Sequence, residues 1–439
     1  MSKSQFNKSK SAVSKALILC ILMIISSISV MLNEEIISES RYLDATTEVM
    51  ETSSQSYLTD STFDNYQAGI FSNEIIQISS EESTTCATGV NSTLICWGLY
   101  EGLTGWSYLT YPENIDYQLP ISNFSVGSEM ICALSDEDVY CWGKNNVFQL
   151  GVGISGTTVL AQQASLVQFS GTRHAIEISS GAQHSCALMN DASVHCWGRS
   201  SAWSFGGNGE AESSSPIPIS MQWSGTTYYA KTISTGNTAS CAVTTTDELF
   251  CWGGTNHLPY LGGYPVGYGK IIQHYPSSSS VLSVSIGMSH SCALLSDSSV
   301  FCFGLNGDGQ LGSGYTQSGT TYRTNTLSPS DFGNRDVVEV IAGYEATCVI
   351  LDDGSLECWG DNYNDKLCTN DPSFSDPILS PTNIDLGIGR TAKSVSMGDY
   401  TMSVILDDDT VKSCGYDRLN GLGSVRSFDL QSGHSLFSI

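Results

Sequence analysis

Fifteen cysteines dominate the chemistry that this 439-residue chain could perform, and twelve of them recur as pairs. The pairs are Cys86 with Cys96, Cys132 with Cys141, Cys186 with Cys196, Cys241 with Cys251, Cys292 with Cys302 and Cys348 with Cys358, five with a separation of ten residues and one of nine. Zinc sites use short Cys-x2-Cys-type knuckles or converging histidines, so pairs spread along the chain fit disulfides better than metal. In an antiparallel hairpin, residues ten apart face each other across an odd-length loop, and residues nine apart across an even one. The second pair has the shorter turn, Ser135-Asp136-Glu137-Asp138, which restores the facing relation. Directly opposed strand positions lie within disulfide reach. Closing a loop of about 11 residues stabilises by roughly 2–3 kcal/mol in the chain-entropy picture.

Other chemically suggestive groups are weaker. Gly307-Asp308-Gly309-Gln310-Leu311-Gly312 matches Gly-x-Gly-x-x-Gly, but a dinucleotide site needs that motif to open a helix, and no helical period follows it. Asp361-Asn362-Tyr363-Asn364-Asp365 is rich in oxygen ligands, yet its spacing is not that of a calcium loop. His184 and His290 have no free nucleophile beside them, since Cys186 and Cys292 belong to the pairs. No catalytic set, metal site or cofactor is therefore expected. Trp106, Trp203, Trp223, Tyr228 and Tyr229 fall outside the repeated positions described next and are the candidate binding surface. Asn91-Ser92-Thr93 and Asn123-Phe124-Ser125 are glycosylation sequons.

The elements that position these residues repeat. Cys-Trp-Gly or a variant ends a strand at Gly98, Gly143, Gly198, Gly253, Gly304, Gly360 and, degenerately, Gly415, with spacings of 45, 55, 55, 51, 56 and 55 residues. Within a unit, Val337-Val338-Glu339-Val340-Ile341 and Cys348-Val349-Ile350-Leu351 read as strands, and Asp352-Asp353-Gly354-Ser355 as a hairpin turn. Short strands at even spacing, without a helical period, predict an all-β repeat fold.

Two units carry a family likeness. Gly181-Ala182-Gln183-His184-Ser185-Cys186-Ala187-Leu188 through Trp197-Gly198, and Gly287-Met288-Ser289-His290-Ser291-Cys292-Ala293-Leu294 through Gly309-Gln310-Leu311-Gly312, resemble the repeat of the regulator-of-chromosome-condensation family. The resemblance covers about 75–425 and implies a seven-bladed β-propeller of four-stranded blades. It implies that His184 and His290 are hydrogen-bonding residues between blades. Repeat seven departs from the pattern: Ser403 and Ser413 stand where the cysteine pair belongs, Cys414 where tryptophan belongs, and Cys368 replaces a glycine in repeat six. Cys368 and Cys414 are expected either to form a seventh, inter-blade bridge or to remain two thiols. The family offers two precedents, nucleotide exchange on a small GTPase and a secreted β-lactamase inhibitor of similar fold, and no functional residue of either carries over.

The organisation expected is residues 1–32 as a signal anchor or signal peptide, 33–74 as an acidic Ser/Thr-rich stalk and 75–439 as the propeller. Four lysines precede the apolar run 16–32, which two glutamates follow, so the bulk of the chain is expected outside the membrane, anchored through 16–32 or secreted if that run is cleaved. The formal net charge of −26 excludes phosphate backbones as ready partners, so no nucleic acid is expected. The expected role is an extracytoplasmic scaffold that binds a protein or surface ligand and is not an enzyme. The alternatives are an exchange-factor-like activity, disfavoured by export, and a polysaccharide-acting enzyme at the propeller centre. Because only 24 residues follow Gly415, the segment Tyr57 to Phe71 is expected as a lender of a strand to the last blade.

Overall fold

The computed structural model describes residues 75–439 except 83, 90–91, 103–104, 116–119, 157, 200–211, 254–269, 272–278, 318–322, 370–375, 416–425, 430–433 and 437–439. The expected N-terminal helix, Cys20, the stalk, Tyr57 to Phe71 and Trp203 lie outside the described residues. Among the described residues no helix is long and apolar enough to cross a membrane.

Seven consecutive antiparallel sheets form the blades of a β-propeller, each built from one contiguous stretch of chain. Blade 6 shows the pattern: strand a is Val337–Ala342, b Ala346–Leu351, c Leu356–Gly360 and d Ile378–Asn383, paired in that order. Blade 7 differs in having five strands, from Ala392–Met397 to His434–Leu436, with Arg426–Asp429 in the fourth place. It therefore completes four strands from its own sequence.

Burial explains the residue pattern. The b strands of blades 2 to 6 are buried at every position, which is why Cys-Ala-Leu and Cys-Val-Ile read as unbroken apolar runs, whereas a strands alternate. The core is divided into seven clusters, one at each joint between neighbouring blades. At the joint of blades 7 and 1, Ile405 and Val411 meet Ile75, Ile78 and Trp97.

The six expected cysteine pairs all sit in this framework, directly opposed between strands b and c of blades 1 to 6, with a disulfide in each. The Cα separations are 4.0 Å for Cys86 and Cys96, 4.2 Å for Cys132 and Cys141, and 4.1 Å for Cys186 and Cys196. They are 4.0 Å for Cys241 and Cys251, 4.1 Å for Cys292 and Cys302, and 4.1 Å for Cys348 and Cys358. All twelve side chains are fully buried, so these bridges hold strands together and offer no surface for recognition. In blade 7 the same opposed positions carry Ser403 and Ser413, whose hydroxyls meet at 2.9 Å, so a hydrogen bond stands in for the covalent link.

Polar bonds join the blades as regularly. The outer edge of each a strand is paired with b, but its channel edge would leave backbone N–H groups bare. Serines of the preceding blade accept from them: Ser79 Oγ from Val126 N at 3.0 Å, Ser125 Oγ from Ser180 N at 2.8 Å, Ser179 Oγ from Thr235 N at 3.0 Å and Ser285 Oγ from Ala342 N at 2.9 Å.

Because strands alternate in direction, a–b turns and c–d loops emerge on one face, and b–c turns with the blade-to-blade connections on the other. The b–c turns repeat Asp-x-Ser/Thr: the Oδ1 of Asp191, Asp297, Asp353 and Asp408 accepts the N–H two residues on. Several of these aspartates meet cations of the connections, among them Asp191 with Arg173, Asp353 with Arg335 and Asp408 with Arg390.

Candidate functional site at the channel mouth

The a–b turns surround one mouth of the central channel. Six begin with glycine, and each packs on its neighbour: a Cβ on Gly181 would stand 2.0 Å from Gly236 O, and one on Gly287 1.8 Å from Gly343 O. Blade 1 is the exception, with Glu81 at that register. The turns enclose a cavity of about 390 Å³ to which all seven blades contribute, from Glu81 and Glu82 of blade 1 to Asp399 of blade 7.

The mouth is rich in carboxylates. Burial, then the charges of Asp399 and Glu82, raise the Glu81 carboxyl well above its ordinary range. Burial and Glu82 push Asp399 up to about 6, against the opposing pull of Lys366. A second group lies between blades 5 and 6. Burial and the neighbouring Asp308 carboxyl push Glu345 up to about 7. Deeper in the channel, Glu177 accepts Ile233 N at 3.1 Å and Thr232 Oγ1 at 2.9 Å, and burial raises it. Glu339, at the same register of blade 6, is pushed up to about 7 by burial alone.

Two lysines answer part of this charge. Lys144 pairs with Glu129. Lys366, only 3 % exposed, contacts Asp361 Oδ2 at 2.7 Å, donates to Asp399 O at 3.2 Å and lies 5.4 Å from the centre of the Tyr344 ring. Tyr344 in turn stacks on Tyr400, at a centroid separation of 6.4 Å.

Of the motifs singled out in the sequence, Asp308 of the glycine motif and Asp361 of the acidic loop come together at this mouth around Glu345, while the rest are spread over the ring. The six in-blade disulfides lie within their own sheets. Cys368 and Cys414 are also bonded, across blades 6 and 7, with Cα atoms 5.4 Å apart. His184 Nε2 meets Ser240 Oγ of blade 4 at 2.9 Å, and His290 Nε2 meets Thr347 Oγ1 of blade 6 at 2.7 Å. Thr347 donates its only hydroxyl proton to Gln310 O at 2.9 Å, so His290 must carry a proton on Nε2.

Gly307–Gly312 is a c–d loop and leads into no helix. Asn306 pins it, accepting Leu311 N at 3.0 Å and donating to Tyr315 O at 2.7 Å, and Trp359 Nε1 of the next blade donates to Gln310 O at 2.9 Å. Asn145 with Gln149 and Trp197 repeat the arrangement between blades 2 and 3. In Asp361–Asp365, Asp361 is held by Lys366, while Asp365 Oδ1 accepts Thr369 N and Oγ1. No group of three metal-ligating side chains occurs among the described residues.

Of the candidate aromatic surface, Trp106 falls on the outer strand Gly105–Asn114, while Trp223 and Tyr228 pack on the cluster between blades 3 and 4. Tyr229 is 52 % exposed. The last three lie in the connection between blades 3 and 4, on the face opposite the mouth. Asn123 lies on the a strand of blade 2 with its Oδ1 buried, a poor acceptor for a glycan.

The mouth carboxylates were missed by motif reading because they match no motif. Their signal was registral: one glutamate where six repeats carry glycine.

The comparisons with known proteins bear on the fold. A family model of the regulator of chromosome condensation (RCC1) repeat matches residues 136–188 and 297–350, and a second model of the same repeat matches 175–206 and 281–310. The chain is an RCC1-type repeat propeller. It is 27% identical over 258 residues to the probable E3 ubiquitin-protein ligase HERC6 of Homo sapiens, covering 56% of this chain and 24% of that protein. It is 22% identical over 323 residues to the guanine nucleotide exchange factor SRM1 of Saccharomyces cerevisiae, covering 65% of this chain and 66% of that one. The chain thus spans a quarter of the first relative and about two thirds of the second. Among solved structures, yeast RCC1 (Prp20) bound to Kap60 matches with a TM-score of 0.61 and 18% identity, over 74% of this chain and 78% of that one. At that identity the likeness concerns the fold.

Proposed function

We propose that this RCC1-type propeller is an extracytoplasmic, non-enzymatic protein-binding scaffold whose recognition face is the side carrying the a–b turns and c–d loops. The observation that carries the reading is the division of labour in the repeat. Its histidines, glutamine loops, serines and cysteines are used to fix blade to blade and strand to strand, while the c–d loops vary and share one face with the open mouth. Fourteen of the fifteen cysteines are in bridges, the usage of an oxidising compartment. A relative in complex with Kap60 supports a protein as the partner class.

A photo-cross-linking residue in place of Tyr363, 56 % exposed in the c–d loop of blade 6, tests the face, with Ile388 in the blade 6–7 connection as its counterpart. A discrete protein adduct is expected on living host cells from the first position and not from the second. Equal adducts, or none at Tyr363, reject the assignment. Alkylation of the unreduced protein is expected to label none of the fourteen bridged cysteines; labelling of an in-blade pair rejects the compartment.

Two observations favour other readings. Likeness to SRM1 favours nucleotide exchange, which predicts faster GDP release from a small GTPase. The adjacent carboxyls of Asp308 and Glu345, with Glu345 pushed up to about 7, favour acid–base chemistry at the channel, which predicts turnover abolished by Glu345→Gln.

A further inference from the structure

We propose that the channel mouth at the joint of blades 7 and 1 is a receptor for a cationic side chain, arginine or lysine, presented by a basic segment of the protein partner. The inference rests on the scaffold reading and names the partner's chemistry. Three observations converge on it. The mouth is a cavity of about 390 Å³, room for one or two side chains and too small for a folded element, so the rest of the ligand must cross the rim. Two of the carboxylates around it are held by cations of the chain, Glu129 by Lys144 and Asp361 by Lys366. Glu81 and Asp399 stand on its lining with side chains that make no hydrogen bond or ion pair among the described residues, Lys366 exerting only a longer-range pull on Asp399.

Glu81 is the independent pointer. It occupies the register at which the other six blades carry glycine, so its side chain is an addition to the repeat. Its side chain is half-buried and lines the cavity beside Glu82 and Asp399. Carboxylates crowded together in such surroundings are unfavourable unless a counter-charge arrives. Lys366 shows how the mouth treats an ammonium, with a carboxylate oxygen at 2.7 Å, a backbone carbonyl at 3.2 Å and an aromatic face. The Tyr344–Tyr400 stack continues that aromatic surface to the rim, where Tyr400 is 38 % exposed, and guanidinium groups favour such faces.

The test uses the full-length protein, at pH 8 and low ionic strength, and the fluorescence anisotropy of a labelled hexa-arginine peptide. Glu81→Gln/Asp399→Asn is expected to weaken binding at least tenfold. Asp136→Asn/Asp247→Asn removes the same charge from b–c turns on the opposite face and is expected to change it less than twofold. Equal losses from both pairs would show general attraction to an acidic protein and overturn the proposal, as would unaltered binding by the mouth variant. Should that variant not fold, Asn237→Lys places a competing cation on the blade 4 turn, where the same tenfold loss is expected and its absence is fatal. Free arginine methyl ester binding as tightly as the peptide would make the ligand a small cation and also overturn it. If the peptide fails to bind while position 363 still cross-links a partner, the scaffold reading survives and this one does not.

Discussion

Replacing Gly312 by alanine should destabilise the propeller by about 2–5 kcal/mol, while the same change at Gly307, five residues earlier in the same motif, should be nearly silent. Gly312 has φ +69°, a conformation in which an L side chain costs about 1–2 kcal/mol. Its Cβ would also stand 2.9 Å from Trp359 Nε1 and 3.0 Å from Leu327 Cδ1. The Trp359 ring cannot retreat without losing its 2.9 Å bond to Gln310 O, so crowding adds about 1–3 kcal/mol. At Gly307 a Cβ meets nothing within 4 Å and φ lies outside the left-handed range, so alanine should shift stability by no more than about 1 kcal/mol, in the stabilising direction. Guanidinium unfolding of the full-length variants, followed by tryptophan emission, reads both effects. Equal midpoints for Gly312→Ala and the parent would refute the reasoning, and so would a Gly307→Ala loss as large as that at Gly312. The dinucleotide reading of this motif predicts a different ranking, with Gly307 indispensable for the turn.

Three further outcomes are expected. A double-mutant cycle on His290→Ala and Thr347→Val should give a coupling of about 0.5–1.5 kcal/mol across blades 5 and 6, and additive effects would dissolve that joint. Glu339 is pushed up to about 7 from 4.5, so the folded state holds the extra proton between those values, and stability should fall as pH rises through that window. Glu339→Gln should accordingly raise the melting temperature at pH 8 and leave it unchanged at pH 4; a gain at both would mean that packing, not charge, is responsible. The Cys368–Cys414 bridge spans 46 residues of sequence, against ten or nine for the others, so removing both cysteines should destabilise by about 4 kcal/mol where an in-blade pair such as Cys241 and Cys251 costs about 2–3. Paired Cys→Ser variants unfolding in denaturant would show the ranking or its reverse.

Periodicity alone makes the fold legible in the sequence. Seven strand ends at even spacing require a repeat, and pairs such as Cys186 and Cys196 specify an opposed register. Blade 7 is less legible: its fourth strand, Arg426–Asp429, carries none of the repeat's marks, so the sequence alone points to a lender at Tyr57 to Phe71. The site was hardly legible at all. Asp308 reads as a loop residue of a glycine motif and Glu345 as an ordinary turn residue, and only the ring brings an a–b turn of one blade against a c–d loop of its neighbour. Of the tryptophans outside the repeat positions, Trp223 has its own small hairpin and packs against the cluster between blades 3 and 4, a placement its sequence neighbours did not signal.

In a ring of equivalent units, what holds the fold recurs, and what recurs is explained by packing. The exceptions then carry the information. At the joint of blades 6 and 7, glycine and tryptophan are exchanged together for Cys368, at φ +58°, and Cys414, so a contact is replaced by a bond and the joint is kept by other means. At the joint of blades 7 and 1 the exchange of glycine for Glu81 comes with no disulfide and no ion pair of that carboxyl among the described residues. There Asp399 N and Tyr400 N donate to Glu82 O at 2.9 and 3.3 Å, and carboxyls crowd around the bonds that close the ring. A substitution that crowds carboxyls at a joint without a partner among the described residues points outward, and a cation arriving at Glu81 and Asp399 would bring the missing compensation. A basic partner should therefore raise the melting temperature of the ring as well as bind to it, and binding without that rise would separate the mouth from the joint.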